Sequence, residues 1–547
     1  MATTEALAVP GFLARERTIA GPGFSRWLVP PAALAIHLCI GMAYGFSVFW
    51  LPLSKAIGIT ESVACPADIS FIGRLTSTSC DWKVSMLGWT YIIFFLFLGS
   101  AAAIWGGWLE RAGPRKAGVV AAVCWCGGLV ISAFGVMIHQ LWLMWLGSGI
   151  IGGIGLGLGY ISPVSTLIKW FPDRRGMATG MAIMGFGGGA MIGAPLADKL
   201  MKLFATPHSV GVWETFLALA AIYFVFMMGG ALSYRVPPDG WRPANWDPTK
   251  AKTQKLVTDK HVHLHTAWRT PQFWLMWGVL TLNVSAGIGI LGMASPLLQE
   301  VFGGRLIGVT ATFDQLSPDQ KSQIAAIAAG FTGLLSLFNI GGRIFWASLS
   351  DRIGRKVTYA VFFLLGIAIY ASVPGIARTY NLALFVAVFC VALSMYGGGF
   401  STIPAYLADI FGTRMVGAIH GRLLTAWSTA GVLGAGLINY IRDYQLDRGV
   451  PKAQAYSLTM YILAALLALG FVCNLLIKPV DPKNHMTPEQ IAAEDKALKG
   501  AAPAAVTVGT AGEAAPGWLI PAAWLVVWIP LGWGVWVTLQ KAVLLFK

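Results

Sequence analysis

Long apolar runs separated by short polar connections set the first reading of the chain. They fall at about 27–54, 84–106, 117–138, 141–168, 176–200, 212–234, 272–300, 323–347, 357–377, 380–410, 414–440 and 456–478. Each approaches or exceeds the length that a helix needs to cross about 30 Å of hydrocarbon. A polar stretch from Arg235 to Arg269 divides the twelve runs six and six. A further run, Gly517 to Gln540, follows an Ala/Pro/Gly-rich linker; it is long enough to span again, while tryptophans at 518, 524, 528, 533 and 536 equally suit a helix lying at the interface. The pattern predicts an all-α polytopic membrane protein. Its parts are an N-terminal segment (1–26), a six-helix half (27–234), a central linker (235–271), a second six-helix half (272–478), a linker (479–516) and an additional hydrophobic helix (517–547).

The polar connections supply an orientation. Arg111, Arg115 and Lys116 close the second run, Arg174 and Arg175 the fourth, and Arg352, Arg355 and Lys356 the eighth, whereas the third-to-fourth connection holds no lysine or arginine. Basic loops stay in the cytoplasm, so the N-terminus and the central linker are expected there, and Arg442, Arg448 and Lys452 are the exceptions on the outer side. The run after Arg15, Arg17 and Arg26 is too long for a signal-peptide core, so the first helix is expected to remain in the protein.

Two loop motifs recur. Glu110-Arg-Ala-Gly-Pro-Arg115-Lys116 returns as Asp351-Arg-Ile-Gly-Arg355-Lys356, and Phe171-Pro-Asp-Arg174 returns as Phe411-Gly-Thr-Arg414, both after about 240 residues. A common offset implies a duplicated six-helix unit, and a duplicated unit places a site at the interface between its copies.

Composition then narrows the class. With 56% hydrophobic and 12% charged residues and a mean hydropathy of +0.67, the chain lies outside the range of a soluble domain. The net charge of +15 resides largely in the short loops and so does not imply a nucleic-acid partner. Five of the seven cysteines lie in apolar runs; Cys65 and Cys80 share the polar segment after the first run and form a candidate disulfide. The stretch His261-Val-His-Leu-His265 has metal-ligand residues at alternate positions, but a solvated linker strand is the preferred reading. No metal or cofactor is expected.

One residue stands out against the apolar background. In Phe338-Asn-Ile-Gly-Gly-Arg343-Ile-Phe-Trp, the arginine lies about 12 Å along the helix from the loop that begins at Asp351. Arginine cannot lose its proton, and that depth is awkward for snorkelling to the surface. A fixed cation facing a polar cavity and receiving an anion is the functional alternative.

The loop pattern of an acidic residue, Arg, Gly and Arg-Lys after helices two and eight resembles the signature of the major facilitator superfamily. Within it, Leu-Gly-Leu-Gly-Tyr160-Ile-Ser-Pro-Val-Ser-Thr-Leu-Ile-Lys-Trp-Phe-Pro-Asp-Arg-Arg-Gly176-Met-Ala-Thr-Gly180 resembles the oxalate/formate antiporter family, relatives of the monocarboxylate transporters. The resemblance covers roughly residues 30–478 and implies two six-helix halves rocking about a central site. The helix at 517–547 resembles a small-subunit peptide that accompanies some members, fused here.

That resemblance implies a substrate carboxylate held between a helix-eight arginine, here Arg343, and a helix-eleven lysine, a position that here holds Trp427. Two cations compensate a dianion, whereas one cation facing an indole suits a monoanion. Tyr396 and Phe400, four residues apart on one face, match pocket aromatics, with Tyr160 and Tyr44 as their counterparts in the first half. Asn339 stands where proton-coupled relatives carry an aspartate, which favours exchange or uniport over proton symport; His37 and Glu214 are the remaining candidate proton sites. Arg422 and His420 read as gate or interface residues. Glu110, Arg111, Arg115, Asp351, Arg352 and Arg355 are expected to govern gating, and Gly189, Gly193 and Pro195 to let helix five pack closely and bend.

The expected function is secondary transport of a small monocarboxylate of the lactate, pyruvate or formate type, with oxalate/formate exchange and proton-coupled symport as rival transport modes. An enzyme would need paired carboxylates, metal ligands or an activated nucleophile near the midplane, and the sequence offers none there. A membrane nutrient receptor, the remaining rival, calls for an output domain in place of the short tail. A monomer in a bacterial inner membrane is expected.

Overall fold

A computed structural model describes residues 11–66, 68–238, 240–244, 246, 256–500 and 516–546. Its first six long helices are α1 (Arg26–Leu53), α2 (Val84–Ala112), α3 (Pro114–Met137), α4 (Leu141–Trp170), α5 (Arg175–Phe204) and α6 (Val212–Ser233). The second six are α7 (Pro271–Phe302), α8 (Pro318–Ile353), α9 (Arg355–Thr379), α10 (Leu382–Phe411), α11 (Val416–Leu423 and Thr425–Asp447) and α12 (Ser457–Leu476). Two more follow, α13 (Pro488–Gly500) and α14 (Leu519–Ala542).

Local chemistry explains where helices begin and end. Thr270 accepts the Phe273 N–H ahead of Pro271, and Ser317 with Gln320 forms a reciprocal capping box ahead of Pro318, so α7 and α8 both start on a side-chain cap and a proline. The turns into α3 and α9 pass through Gly113 at φ 86° and Gly354 at φ 91°, values that residues with a Cβ resist. These are equivalent positions of the repeated loop motif, so the duplication extends to backbone geometry.

Among the described residues, twelve helices are long and apolar enough to cross a membrane: α1 to α10, α12 and α14. The run expected as one helix over 414–440 is instead broken at Leu424, whose carbonyl accepts the Trp427 N–H at 3.0 Å. His420, Arg422, Thr425, Ser428 and Thr429 lower its apolarity. α11 nonetheless packs along α2 and α7 as part of the bundle. The two halves meet where α5 lies against α8 and α2 against α11, and α14 lies along α8, α5 and α1.

Outside the bundle, the histidine stretch differs from the solvated strand expected for it. Val262 is fully buried; its N–H donates to the Phe411 carbonyl at 2.9 Å, and the Thr258 N–H donates to the Asp409 carbonyl at 2.8 Å. Carbonyls at a helix C-terminus lack partners within the helix, and the last turn of α10 recruits the linker to supply them. Met486 N–H adds a bond to the His261 carbonyl, while Glu494 and Asp495 of α13 reach His263 and Arg414. Among the described residues, no group of three His, Cys, Asp or Glu is placed to hold a metal. Between α1 and α2, Cys65 and Cys80 are joined in a disulfide, and the Asp81 carboxylate accepts the backbone N–H groups of Ile57, Gly58 and Val63.

Candidate functional site

Arg343 sits in the second half of α8, toward its basic-loop end, with 0% of its surface exposed. Its Nε donates to Asn339 Oδ1, one turn earlier, at 3.1 Å, and Nη1 crosses to the other half to donate to the Ile183 carbonyl of α5 at 3.1 Å. Nη2 is buried and has no partner among the described residues. The guanidinium carbon lies 5.5 Å from the Phe400 ring centroid. Close approach by α5 is possible because Gly180 and Gly187 face Arg343; a Cβ at Gly187 would stand 2.9 Å from its Nε.

Aromatic rings from six helices cluster beside this cation. Trp427, fully buried on α11, has the rings of Phe400, Phe186, Tyr160 and Phe95 at centroid separations of 4.5, 5.2, 5.3 and 5.4 Å. Tyr44 and Tyr396 bring their hydroxyls within 3.2 Å of each other across the two halves. The structure therefore gathers Arg343, Asn339, Trp427, Tyr396, Phe400, Tyr160 and Tyr44 in one cluster. Tyr160 Oη and Trp427 Nε1 share with Arg343 Nη2 the property of being buried without a hydrogen-bond partner among the described residues. Buried polar atoms are nearly always paired, so these three groups, gathered in one cluster, are the candidates to receive a polar partner.

Phe186 escapes the sequence reading although its ring also touches Tyr44, at 5.0 Å, and Tyr160, at 5.4 Å. Its signal was a lone large ring within Gly185-Phe186-Gly187-Gly188-Gly189. Backbone carbonyls such as that of Ile183 leave no such trace. His37 is buried, with Nδ1 2.5 Å from the Ala182 carbonyl and Nε2 3.2 Å from the Tyr160 carbonyl, so it ties α1 to α5 and α4. Glu214 accepts from Ser209 away from the cluster. Arg422 turns away as well, donating to the Leu264 carbonyl of the linker. Gly189 and Gly193 serve packing within the first half: Gly189 abuts Leu38 and Gly41 of α1, and Gly193 abuts Met42 and Tyr223.

At the end bearing the repeated basic loops, each acidic residue crosses to the other half. Asp351 accepts the Gly176 and Met177 N–H groups at the start of α5, both at 2.9 Å. Glu110 accepts the Gly417 N–H at the start of α11 at 3.1 Å and is paired with Lys169 at 2.7 Å. Carboxylates are favoured at helix N-termini, where unpaired N–H groups and the helix dipole converge. Arg355 pairs with Asp351 and Asp409, and Arg175 reaches Asp409 from the opposite half at 3.0 Å. Arg115, at the position equivalent to Arg355, instead donates to the carbonyls of Phe12 and Tyr234. Arg111 and Arg352 are exposed. Among the described residues, hydrogen bonds between the halves lie at this end or at the depth of Arg343, and none lies toward the opposite end.

Comparison with known proteins agrees with this architecture. The family model of the Major Facilitator Superfamily matches residues 33–435. An oxalate:formate antiporter of Oxalobacter formigenes is 31% identical over 287 residues, which covers 52% of this chain and 60% of the antiporter, less than two thirds of its length. Apicoplast pyruvate carrier 1 of Toxoplasma gondii is 23% identical over 521 residues, with 83% of this chain and 89% of the carrier covered. Among solved structures, a proton:xylose symporter superposes with a TM-score of 0.56 at 13% identity, over 82% of this chain and 95% of that one, a likeness of fold.

Proposed function

The chain belongs to the major facilitator superfamily, and from that premise we propose that it is a secondary carrier of small monocarboxylates, working by exchange through alternating access. The observation that carries this reading is the buried Nη2 of Arg343, unpartnered among the described residues and caged with Tyr160 Oη and Trp427 Nε1. A carboxylate can take the guanidinium through charge-assisted hydrogen bonds, and the surrounding rings accept a short carbon skeleton. Trp427 supplies a neutral donor where a second cation would be needed to compensate a dianion. Asn339 serves Arg343 as a neutral acceptor, and an amide carries no titratable proton, which supports exchange over symport.

In this reading the basic-loop end faces the cytoplasm of a bacterial inner membrane, the protein acts as a monomer, and it has no enzymatic role. The structure then corresponds to a carrier closed toward the cytoplasm, with Glu110, Asp351, Arg355 and Asp409 as the gate. Counterflow in proteoliposomes with labelled lactate, pyruvate, formate and oxalate tests it. Exchange of the monoanions with little oxalate exchange is expected, and the reverse preference would overturn the reading. The second reading is oxalate/formate exchange, favoured by the 31% identity to an antiporter with that pair of substrates in its name.

A further inference from the structure

α14 occupies a seam. On the basic-loop side of the cluster, α5 and α8 touch directly: Gly176 meets the Ala347 carbonyl and Gly180 the Arg343 carbonyl. Gly188 is the point of change, because the space its Cβ would fill is shared by Ile340 of α8 and Leu531 of α14. Beyond it, each helix rests on α14. Gly330 and Gly333 of α8 face Lys541 and Thr538, whereas Met191 and Ile192 of α5 face Gly534, and Lys199 of α5 lies over the Trp533 ring at 5.1 Å. Leu34, Met184, Met191, Ile340, Val527 and Leu531 form an apolar cluster of their own, drawn from α1, α5, α8 and α14.

In a bilayer, lipid is as apolar as leucine, so helices associate through close packing on small residues. Four glycines on three helices supply that packing here. A helix merely resting on the lipid-facing surface would not need contacts alternating between two halves.

We infer that α14 is a wedge whose seating holds α5 and α8 apart beyond Gly188, and so sets the balance between the two access states. Alternating access requires the ends of α5 and α8 remote from the basic loops to approach each other. The groove that receives Leu531, Gly534, Thr538 and Lys541 would then narrow, and α14 would have to leave it or shift. Its seating therefore favours the state seen here, closed at the basic-loop end. The inference rests on the carrier reading only in requiring that the far ends close in turn.

The test measures the distance between those far ends by pulsed electron paramagnetic resonance in nanodiscs. Spin labels go at Leu203→Cys of α5 and Ala325→Cys of α8, both exposed positions, with the five unpaired cysteines changed to alanine. Gly330→Leu, which drives a side chain into the Lys541 carbonyl, and removal of residues 516–547 are each compared with the full chain. Either change is expected to shift the ratio of separated to approached ends about tenfold toward approach. If removal prevents folding, Gly330→Leu alone decides. Distances that respond to substrate yet stay the same in both variants overturn the wedge and leave the carrier reading intact. Distances that respond neither to substrate nor to α14 overturn both.

Discussion

A guanidinium with no exposed surface, held by two neutral oxygens, is an expensive thing to bury. Removing an ion from water costs several kcal/mol even after relaxation, while each hydrogen bond to a charged group returns about 1.5–3 kcal/mol. Two bonds leave Arg343 close to balance, and on the proposed reading a carboxylate would supply the missing counter-charge. Arg343→Lys keeps the charge but loses the planar fork that bonds Asn339 and Ile183 together, so transport should fall by about 100-fold or more with membrane insertion unchanged, as read by counterflow and by detergent-solubilised yield. Trp427→Lys adds a second cation opposite the first. It should raise oxalate exchange at least about tenfold and depress that of lactate, measured in the same vesicles, because like charges repel until a dianion bridges them. Arg343 and Trp427 were legible in the sequence because charge in a span, and a ring where a charge is expected, both contradict their surroundings. Asn339 was legible only as the loss of a titratable group; that it serves as an acceptor for Arg343 needed the helical geometry. Phe186 was hidden among glycines.

At the scale of elements, the twelve runs and the extra helix were readable from hydropathy, which reports burial in lipid directly. The break at Leu424 was not readable, because it depends on a local tightening that composition does not encode. Nor was the docking of the linker on α10, since backbone pairing leaves no trace in residue type. That docking has a titratable member. Burial, reinforced by the positive charges of Arg414 and Arg175, holds the His261 imidazole below its ordinary pKa against the opposing pull of Asp259. A group whose folded pKa is depressed stabilises the fold above its unfolded value, and that contribution fades as pH falls. Amide hydrogen exchange at Val262 and Thr258 should therefore quicken as pH drops below about 6.5, after correction for intrinsic rates, and His261→Gln should flatten the dependence.

At the scale of the whole molecule, the halves meet through glycines at one end, and among the described residues no hydrogen bond joins them toward the other. Gly180 has no room for a side chain against the Arg343 carbonyl. Gly180→Leu should keep the basic-loop end from closing; Ser401→Cys, at a position fully buried in this structure, should then react with a polar maleimide from that side at least about tenfold faster than in the parent. The two closures at that end descend from one motif yet are unequal. Across the seam, Glu110 holds a single N–H of α11, whereas Asp351 holds two of α5 and Arg175 adds an ion pair with Asp409. Ends fastened unevenly do not part evenly. On the proposed carrier reading, fewer hydrogen bonds fasten α2 to α11 at that end than fasten α5 to the opposite half, so opening there is expected to start between α2 and α11, with α5 and α8 as the first pivot.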